Sequence, residues 1–201
     1  FTSNNYIPVV AHANASGNAI NGALDAFVVS NSGNNYNEFA NGSVVLGTNG
    51  MLFTINSTSF TLSGNNDFYN NCSIYFTAGT SNGEIREITD YVSNSTGKFV
   101  TVNTAFSSTP DSTSKFEITP TVRIKGDGSN AIARALINTS TNTVANIQVL
   151  QRGSKYTYAD VTIEANNMAS ANLAVVRAVI GPFGGHAHNP ASELDGRYVI
   201  I

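Results

Sequence analysis

The stretch ITPTVRIKGDGSNAIARALINTSTNTVANIQVLQRGSKYTYADVTIEA, residues 118–165, decides the predicted fold. Apolar and polar residues alternate in three short runs, 121–125, 145–150 and 160–164. Alternation with a period of two is typical of β-strands. Turn sequences separate the runs, Gly126-Asp127-Gly128 first and then the segment from Gly153 to Tyr156. Glycine permits a positive φ at such places, so the stretch predicts strands joined by tight turns.

The composition of the whole chain favours the same structure. Charged residues make up only 11% of the 201 residues, against about a quarter in an average protein. Asn, Ser, Thr and Gly are abundant instead, and their local hydrogen bonds and backbone freedom favour turns over helices. The sequence therefore predicts an all-β fold of antiparallel sandwich or small-barrel units, joined by Gly/Asn-rich turns and containing little helix.

Changes in pattern divide the chain into four predicted parts. Residues 1–47 form an N-terminal β-hairpin segment, and residues 48–118 form a β domain in which strand-like runs recur every 8–12 residues. Its six predicted strands are 51–55, 59–62, 73–77, 85–90, 99–103 and 115–118. Residues 119–180 form a second β domain with the Gly-Asp-Gly and Gly-x-x-Tyr turns. Residues 181–201 form a Gly/Pro-rich loop. We expect the chain to be a piece of a longer polypeptide, so this loop is predicted to lead into a following part of it.

One eight-residue pattern occurs twice. Val29-x3-Gly33-x2-Tyr36 has the spacing of Val149-x3-Gly153-x2-Tyr156. The pattern indicates a strand, a positive-φ turn at the glycine and an aromatic ring that folds back over that turn. Segment 1–47 is thus either a partial repeat of 119–165 or a coincidence in a Gly/Asn-rich chain, and the sequence leaves both interpretations open.

The Gly-Asp-Gly turn also has the outline of a nucleotide site. A strand precedes Gly-x-Gly-x-x-Ala and an Ala/Leu run, as in dinucleotide-binding proteins. Such a site requires a helix and then a strand that ends in an acid. Residues 138–143 have low helix propensity, and the next strand ends at Gln151. Asp127 and Asn130 supply only half of a calcium loop. We therefore predict a solvated β-turn and no cofactor.

The three histidines are the remaining candidates for chemistry. His186 and His188 lie on one side of an extended segment, and Glu193 and Asp195 follow closely, but this spacing matches no established zinc pattern. We favour histidines that bond to backbone or to a partner subunit. The chain has no Gly-x-Ser-x-Gly nucleophile motif and no carboxylate pair in a recognisable catalytic context. The sequence therefore predicts no enzyme activity.

Charge and hydropathy exclude two classes of partner. The net charge of −3 is spread without a basic patch, so no nucleic-acid binding is predicted. No apolar run approaches the roughly 18 residues of a membrane span, so no membrane association is predicted. The single cysteine, Cys72, excludes an internal disulfide, and we predict that it is a small buried apolar residue.

Four motifs occur in order along the chain: Gly79…Gly83-Glu-Ile-Arg86-Glu-Ile88-Thr-Asp90-Tyr91, Phe116-Glu-Ile118-Thr-Pro120-x-Val122-x-Ile124-x-Gly126-Asp-Gly128, Gly153-x-x-Tyr156-x-x-Ala159, and Gly181-Pro182-x-Gly184-Gly185-His186…Asn189-Pro190…Glu193-Leu194. Together they resemble the baseplate wedge structural proteins of T4-like contractile-tailed phages, of the cyanophage and marine myovirus type. The resemblance covers roughly residues 65–201. Its most specific part is the Gly-Gly-His…Pro…Glu-Leu segment.

The resemblance implies a virion structural protein with no chemistry of its own. Its partners would be other tail and baseplate subunits, with homo-oligomers in the virion, and it would be made in the cytoplasm of a bacterial host. A glycan-binding tail-fibre or cell-surface adhesin module is the alternative, which the absence of Trp weakens. The predicted subunit-interface residues are Gly184, Gly185, His186, His188, Pro190, Glu193 and Leu194. The predicted structural turn residues are Gly33, Tyr36, Gly126, Asp127, Gly128, Gly153 and Tyr156.

Overall fold

The computed structural model describes residues 22–36, 39–165 and 172–181. It is nearly all β, with 59% strand and 1% helix, which confirms the predicted fold class. No helix in these ranges is long and apolar enough to cross a membrane. The strands are β1 (Leu24–Asn31), β2 (Asn41–Gly47), β3 (Leu52–Asn56), β4 (Cys72–Ala78), β5 (Ile85–Asn94), β6 (Gly97–Val102), β7 (Lys115–Gly126), β8 (Ser129–Asn138), β9 (Thr143–Ser154), β10 (Ala159–Glu164) and β11 (Val175–Ile180).

Six strands close into a small antiparallel barrel, called here the barrel lobe (residues 40–120). Around the ring the order is β2-β3-β6-β5-β4-β7, and β7 pairs again with β2. Alternate residues point inward, so Ile74 and Phe76 of β4 are both fully buried. The rings of Phe53, Phe76 and Phe106 meet at centroid distances of 4.8–6.0 Å, in the tilted and edge-on arrangements that aromatic pairs favour.

The remaining strands enclose a second core, called here the repeat lobe (residues 22–36 and 121–181, as far as described). One ladder runs β10-β7-β8-β9, and a two-stranded ladder joins β1 to β11. β1 packs against β9, and β10 packs against β11. Leu24, Ala135 and Val144 are fully buried at the centre of this core.

A single strand, β7, belongs to both lobes. Residues 115–120 pair with β4 in the barrel lobe, and residues 121–126 pair with β10 in the repeat lobe. The sequence-based prediction of two strands, 115–118 and 121–125, was wrong, because Pro120 does not interrupt β7. Proline removes a donor but fixes φ at a value that a strand tolerates, and Pro120 stays in register opposite Cys72.

The barrel lobe is inserted between β1 and the rest of the repeat lobe. The polypeptide enters it at Ala40 and leaves it at Pro120, and close to these two points the Ile118 N–H donates to the Ala40 carbonyl at 2.7 Å. The predicted boundary between residues 47 and 48 therefore falls between β2 and β3, two strands that pair with each other.

Two local predictions were wrong. Residues 59–62 form no strand, because the Ser57 hydroxyl accepts a hydrogen bond from the Phe60 N–H at 3.0 Å and favours a turn there. Ile85 and Ile88 are three residues apart, which predicts a bulge or a strand end between them. The register shift lies instead between Ile88 and Asp90, inside a continuous β5.

Candidate functional site

The two Gly-x-x-Tyr segments have the same local geometry. Gly33 and Gly153 have φ values of 63° and 65°. The tyrosine three residues later is buried in each case, with its ring against the glycine. A Cβ atom built on Gly33 would lie 2.8 Å from a ring carbon of Tyr36, and one on Gly153 would lie 2.9 Å from a ring carbon of Tyr156. Each glycine therefore both permits the turn and leaves room for the ring.

The pairing of the strands before these turns is also the same. Val29 of β1 lies opposite Val176, and Val149 of β9 lies opposite Ala133. The ladder of β1 is irregular between Val29 and Asn31. That of β9 is irregular between Val149 and Gln151, opposite the step from Ala133 to Ile132. Segments 22–36 and 142–156 thus correspond at a constant offset along the sequence.

The two segments bind each other reciprocally. The Tyr36 N–H donates to the Asn142 carbonyl at 3.0 Å, and the Tyr156 N–H donates to the Gly22 carbonyl at 2.9 Å. Gly22 and Asn142 both have positive φ, at 64° and 53°. The repeat lobe is therefore built around an approximate internal two-fold axis between β1 and β9.

The Gly-Asp-Gly turn is closed by groups of the protein itself. The Tyr156 ring lies over it, since a Cβ on Gly128 would be 2.5 Å from one of its ring carbons. The Asp127 carboxylate accepts hydrogen bonds from the Thr157 hydroxyl and N–H, the latter at 2.8 Å, and from the Tyr158 N–H at 3.3 Å. The next element is strand β8, so the helix that a dinucleotide site requires is not formed after this turn.

These hydrogen bonds make the turn sensitive to acid. The hydroxyl of Thr157, and then its N–H, lower the pKa of Asp127 from 3.8 to about 2. The carboxylate's contribution to stability is thus complete above about pH 4 and is lost as pH falls through about 2. We expect Asp127→Asn to lower the melting temperature at pH 5 and to make progressively less difference between pH 4 and pH 2. Thermal unfolding followed by circular dichroism checks this, and a constant difference across that range would contradict it.

Ion pairs fasten the two lobes together. The Arg123 guanidinium, on the repeat-lobe half of β7, bonds to Glu87 of β5 through two nitrogens and to Glu164 of β10 at 2.7 Å. The hydrogen bonds that Arg123 donates to Glu87, and then those to Glu164, raise the pKa of Arg123. Arg134 of β8 likewise bonds to Glu117 of β7 at 2.7 Å. These charges are engaged within the protein and serve to fix its shape.

Residues suited to chemistry are sparse. Within 22–36, 39–165 and 172–181, no group of three or more His, Cys, Asp or Glu side chains lies close enough to hold a metal ion. Cys72 is buried in the barrel core, as predicted. The seven predicted subunit-interface residues, from Gly184 to Leu194, lie outside the described residues, so that prediction stays open.

An exposed apolar surface lies at the connection between β2 and β3. Three side chains form it, called here the β2–β3 patch: Val45 (54% exposed), Leu46 (64%) and Met51 (39%). The register of β2 shifts between Val44 and Leu46, so that Val45 and Leu46 are both exposed while Val44 stays in the core. The patch was not predicted from the sequence, although three consecutive apolar residues beside an Asn-Gly turn were a signal for it.

Comparison of the sequence and fold with models of protein families, with curated proteins and with solved structures finds no match.

Proposed function

We propose that the protein is a structural subunit of a contractile phage tail, located in the baseplate wedge and acting through contacts with other subunits. The observation that carries the proposal is the ordered set of motifs in residues 79–194 that resembles such proteins. In the described residues, the glycines of these motifs serve backbone geometry. Gly79 and Gly83, for example, both have positive φ in the turn between β4 and β5. Glycines that fix the geometry of turns in this way are suited to a rigid structural protein.

The β2–β3 patch supports an assembly role. Apolar side chains grouped on a surface gain free energy when a partner covers them. Four of the five arginines in the described residues are, in contrast, engaged in internal ion pairs, such as Arg123 with Glu87. Neighbouring tail subunits, including further copies of this protein, are the partners that the proposal assigns.

Labelling of virus particles tests the location. Antibodies raised against the recombinant protein and coupled to gold are applied to negatively stained contractile-tailed particles from the source sample. We expect gold at the distal end of the tail. Gold along thin fibres would favour the adhesin alternative, and particles without any label would refute a virion location.

A substitution in the β2–β3 patch tests the proposed contact. We expect Leu46→Asp to weaken binding to isolated baseplates by about 2 kcal/mol, roughly thirtyfold, because buried apolar interface residues reach this value. The free energy of unfolding should change by less than about 0.5 kcal/mol, since the side chain is exposed. Co-sedimentation measures the binding. Tyr158→Asp is the control, because Tyr158 is 57% exposed in the repeat lobe, and equal binding by both variants would contradict a contact at the patch.

A glycan-binding module is the second candidate, and one feature favours it. An open groove of about 460 Å³ beside β2 is lined by hydroxyl, amide and amino groups, which suit sugar hydroxyls. These groups include Asn41, Ser43, Ser59 and Lys115. The one aromatic residue of the lining, Phe116, is buried and offers no face for a sugar ring to stack on. A glycan array probed with the recombinant protein tests this candidate.

A further inference from the structure

The described residues contain three Asn-Gly pairs, at 41–42, 49–50 and 82–83. Such a pair can react without a catalyst. The backbone nitrogen of the glycine attacks the carbonyl carbon of the asparagine amide, the bond from that carbon to the amide nitrogen breaks, and ammonia leaves with the proton from the attacking nitrogen. Water then opens the resulting five-membered imide to aspartate or isoaspartate. Glycine favours the attack because it has no side chain in the way.

The fold restrains two of the three pairs. The Gly83 N–H donates to the Phe76 carbonyl at 2.8 Å, so the attacking nitrogen of that pair is engaged. Gly42 lies within β2 in register with Phe116, and the side-chain oxygen of Asn41 is bound by the Ser59 hydroxyl at 2.8 Å. Ladder and turn hydrogen bonds of this kind slow reactions that require the backbone to move.

The third pair, Asn49-Gly50, has the opposite arrangement. The side-chain oxygen of Asn49 accepts hydrogen bonds from the Met51 and Leu52 N–H groups at 2.8 and 2.9 Å, which fold the side chain over the Gly50 peptide. Two such donors also stabilise negative charge on that oxygen when a nucleophile adds to the carbon. No acceptor among the described residues binds the Gly50 N–H, and the Asn49 side chain is exposed.

We propose that Asn49 is a site of spontaneous deamidation that the fold selects over Asn41 and Asn82. The product carries one additional negative charge between Leu46 and Met51, in the middle of the β2–β3 patch. Isoaspartate would also lengthen the backbone of the β2–β3 connection by one atom. The charge would weaken assembly as the protein ages; this consequence rests on the proposed function, whereas the reaction itself does not.

Mass spectrometry of the full-length protein tests the proposal. The folded protein is incubated at pH 8, digested with chymotrypsin, and the conversion of each Asn-Gly peptide is followed over time. We expect Asn49 to convert about tenfold faster than Asn41 and Asn82, which corresponds to roughly one hydrogen bond at each restrained pair. In urea the three sites should convert at similar rates, and Gly50→Ala should slow the reaction at Asn49 in both conditions.

Two outcomes would overturn the proposal. One is conversion of Asn41 or Asn82 in the folded protein at least as fast as that of Asn49. The other is an Asn49 that stays intact in the folded protein and converts only in urea. Labelling by an isoaspartate methyltransferase gives an independent readout, because it detects the reaction whether or not the protein belongs to a virion.

Discussion

Replacement of Gly153 by alanine should lower the free energy of unfolding by about 3 kcal/mol, the sum of a backbone cost and a steric cost. The φ of 65° is unfavourable for any residue with a side chain. The added Cβ would lie 2.5 Å from the Ser129 carbonyl oxygen and 2.7 Å from the Ala131 nitrogen. Both are backbone atoms of β8, so the collision can be relieved only by separating β8 from β9.

Three further alanine substitutions separate the two costs. Gly33→Ala should match Gly153→Ala, because Gly33 has the same φ and faces the Asn172 carbonyl and the Ala174 nitrogen in the same way. Gly83→Ala should cost only about 1 kcal/mol, since its φ is 86° but nothing lies within 4 Å. Gly64→Ala meets no atom and has no left-handed φ, so it should be nearly neutral.

Urea unfolding followed by far-ultraviolet circular dichroism measures the four variants under one set of conditions. Tyrosine fluorescence is a second probe, since the sequence has no tryptophan. If Gly153→Ala is no more destabilising than Gly83→Ala, β8 does not pack closely against the Gly153 turn. If Gly33→Ala and Gly153→Ala differ widely, the two turns are not energetically equivalent.

Features set by neighbouring residues could be predicted from the sequence. Alternation placed β4 at 73–77 and β10 at 160–164, within about a residue of the strands observed. The shared spacing of Gly33 to Tyr36 and Gly153 to Tyr156 identified two turns that have one geometry. Short patterns succeed here because a positive φ and a two-residue period are properties of the local backbone.

Features set by distant pairings could not be predicted. Closure of the barrel depends on Asn41 to Ser43 meeting residues 115–117, more than 70 positions later. The shared strand β7 was divided in two because Pro120 resembles a strand boundary until its partner Cys72 is known. The exposure of both Val45 and Leu46 in the β2–β3 patch arises from a register shift at Val45, and register is a property of two strands together. The predicted interface residues from Gly184 onward lie outside the described residues.

The continuity of β7 predicts how damage to one core affects the other. Phe76→Ala removes a fully buried ring that contacts Phe53 and Phe106, and should cost about 4 kcal/mol. Phe76 lies opposite Phe116 of β7. Loss of order there would release the other half of β7 from β10, and the Arg123 ion pairs would break with it. We therefore expect the amides of β9, in the repeat lobe, to exchange hydrogen faster in the variant. The increase in their exchange rate should be nearly as large as that of the β3 amides.

Hydrogen exchange read by mass spectrometry distinguishes this coupled unfolding from independent lobes. In the coupled case, peptides from β3 and β9 lose protection together, because both sets of amides exchange through the same global opening. Val45→Ala, at an exposed position of β2, is the matched control and should change neither peptide. If Phe76→Ala accelerates exchange in β3 and leaves β9 unchanged, the two lobes unfold separately. The shared strand β7 would then join the lobes without coupling their stabilities.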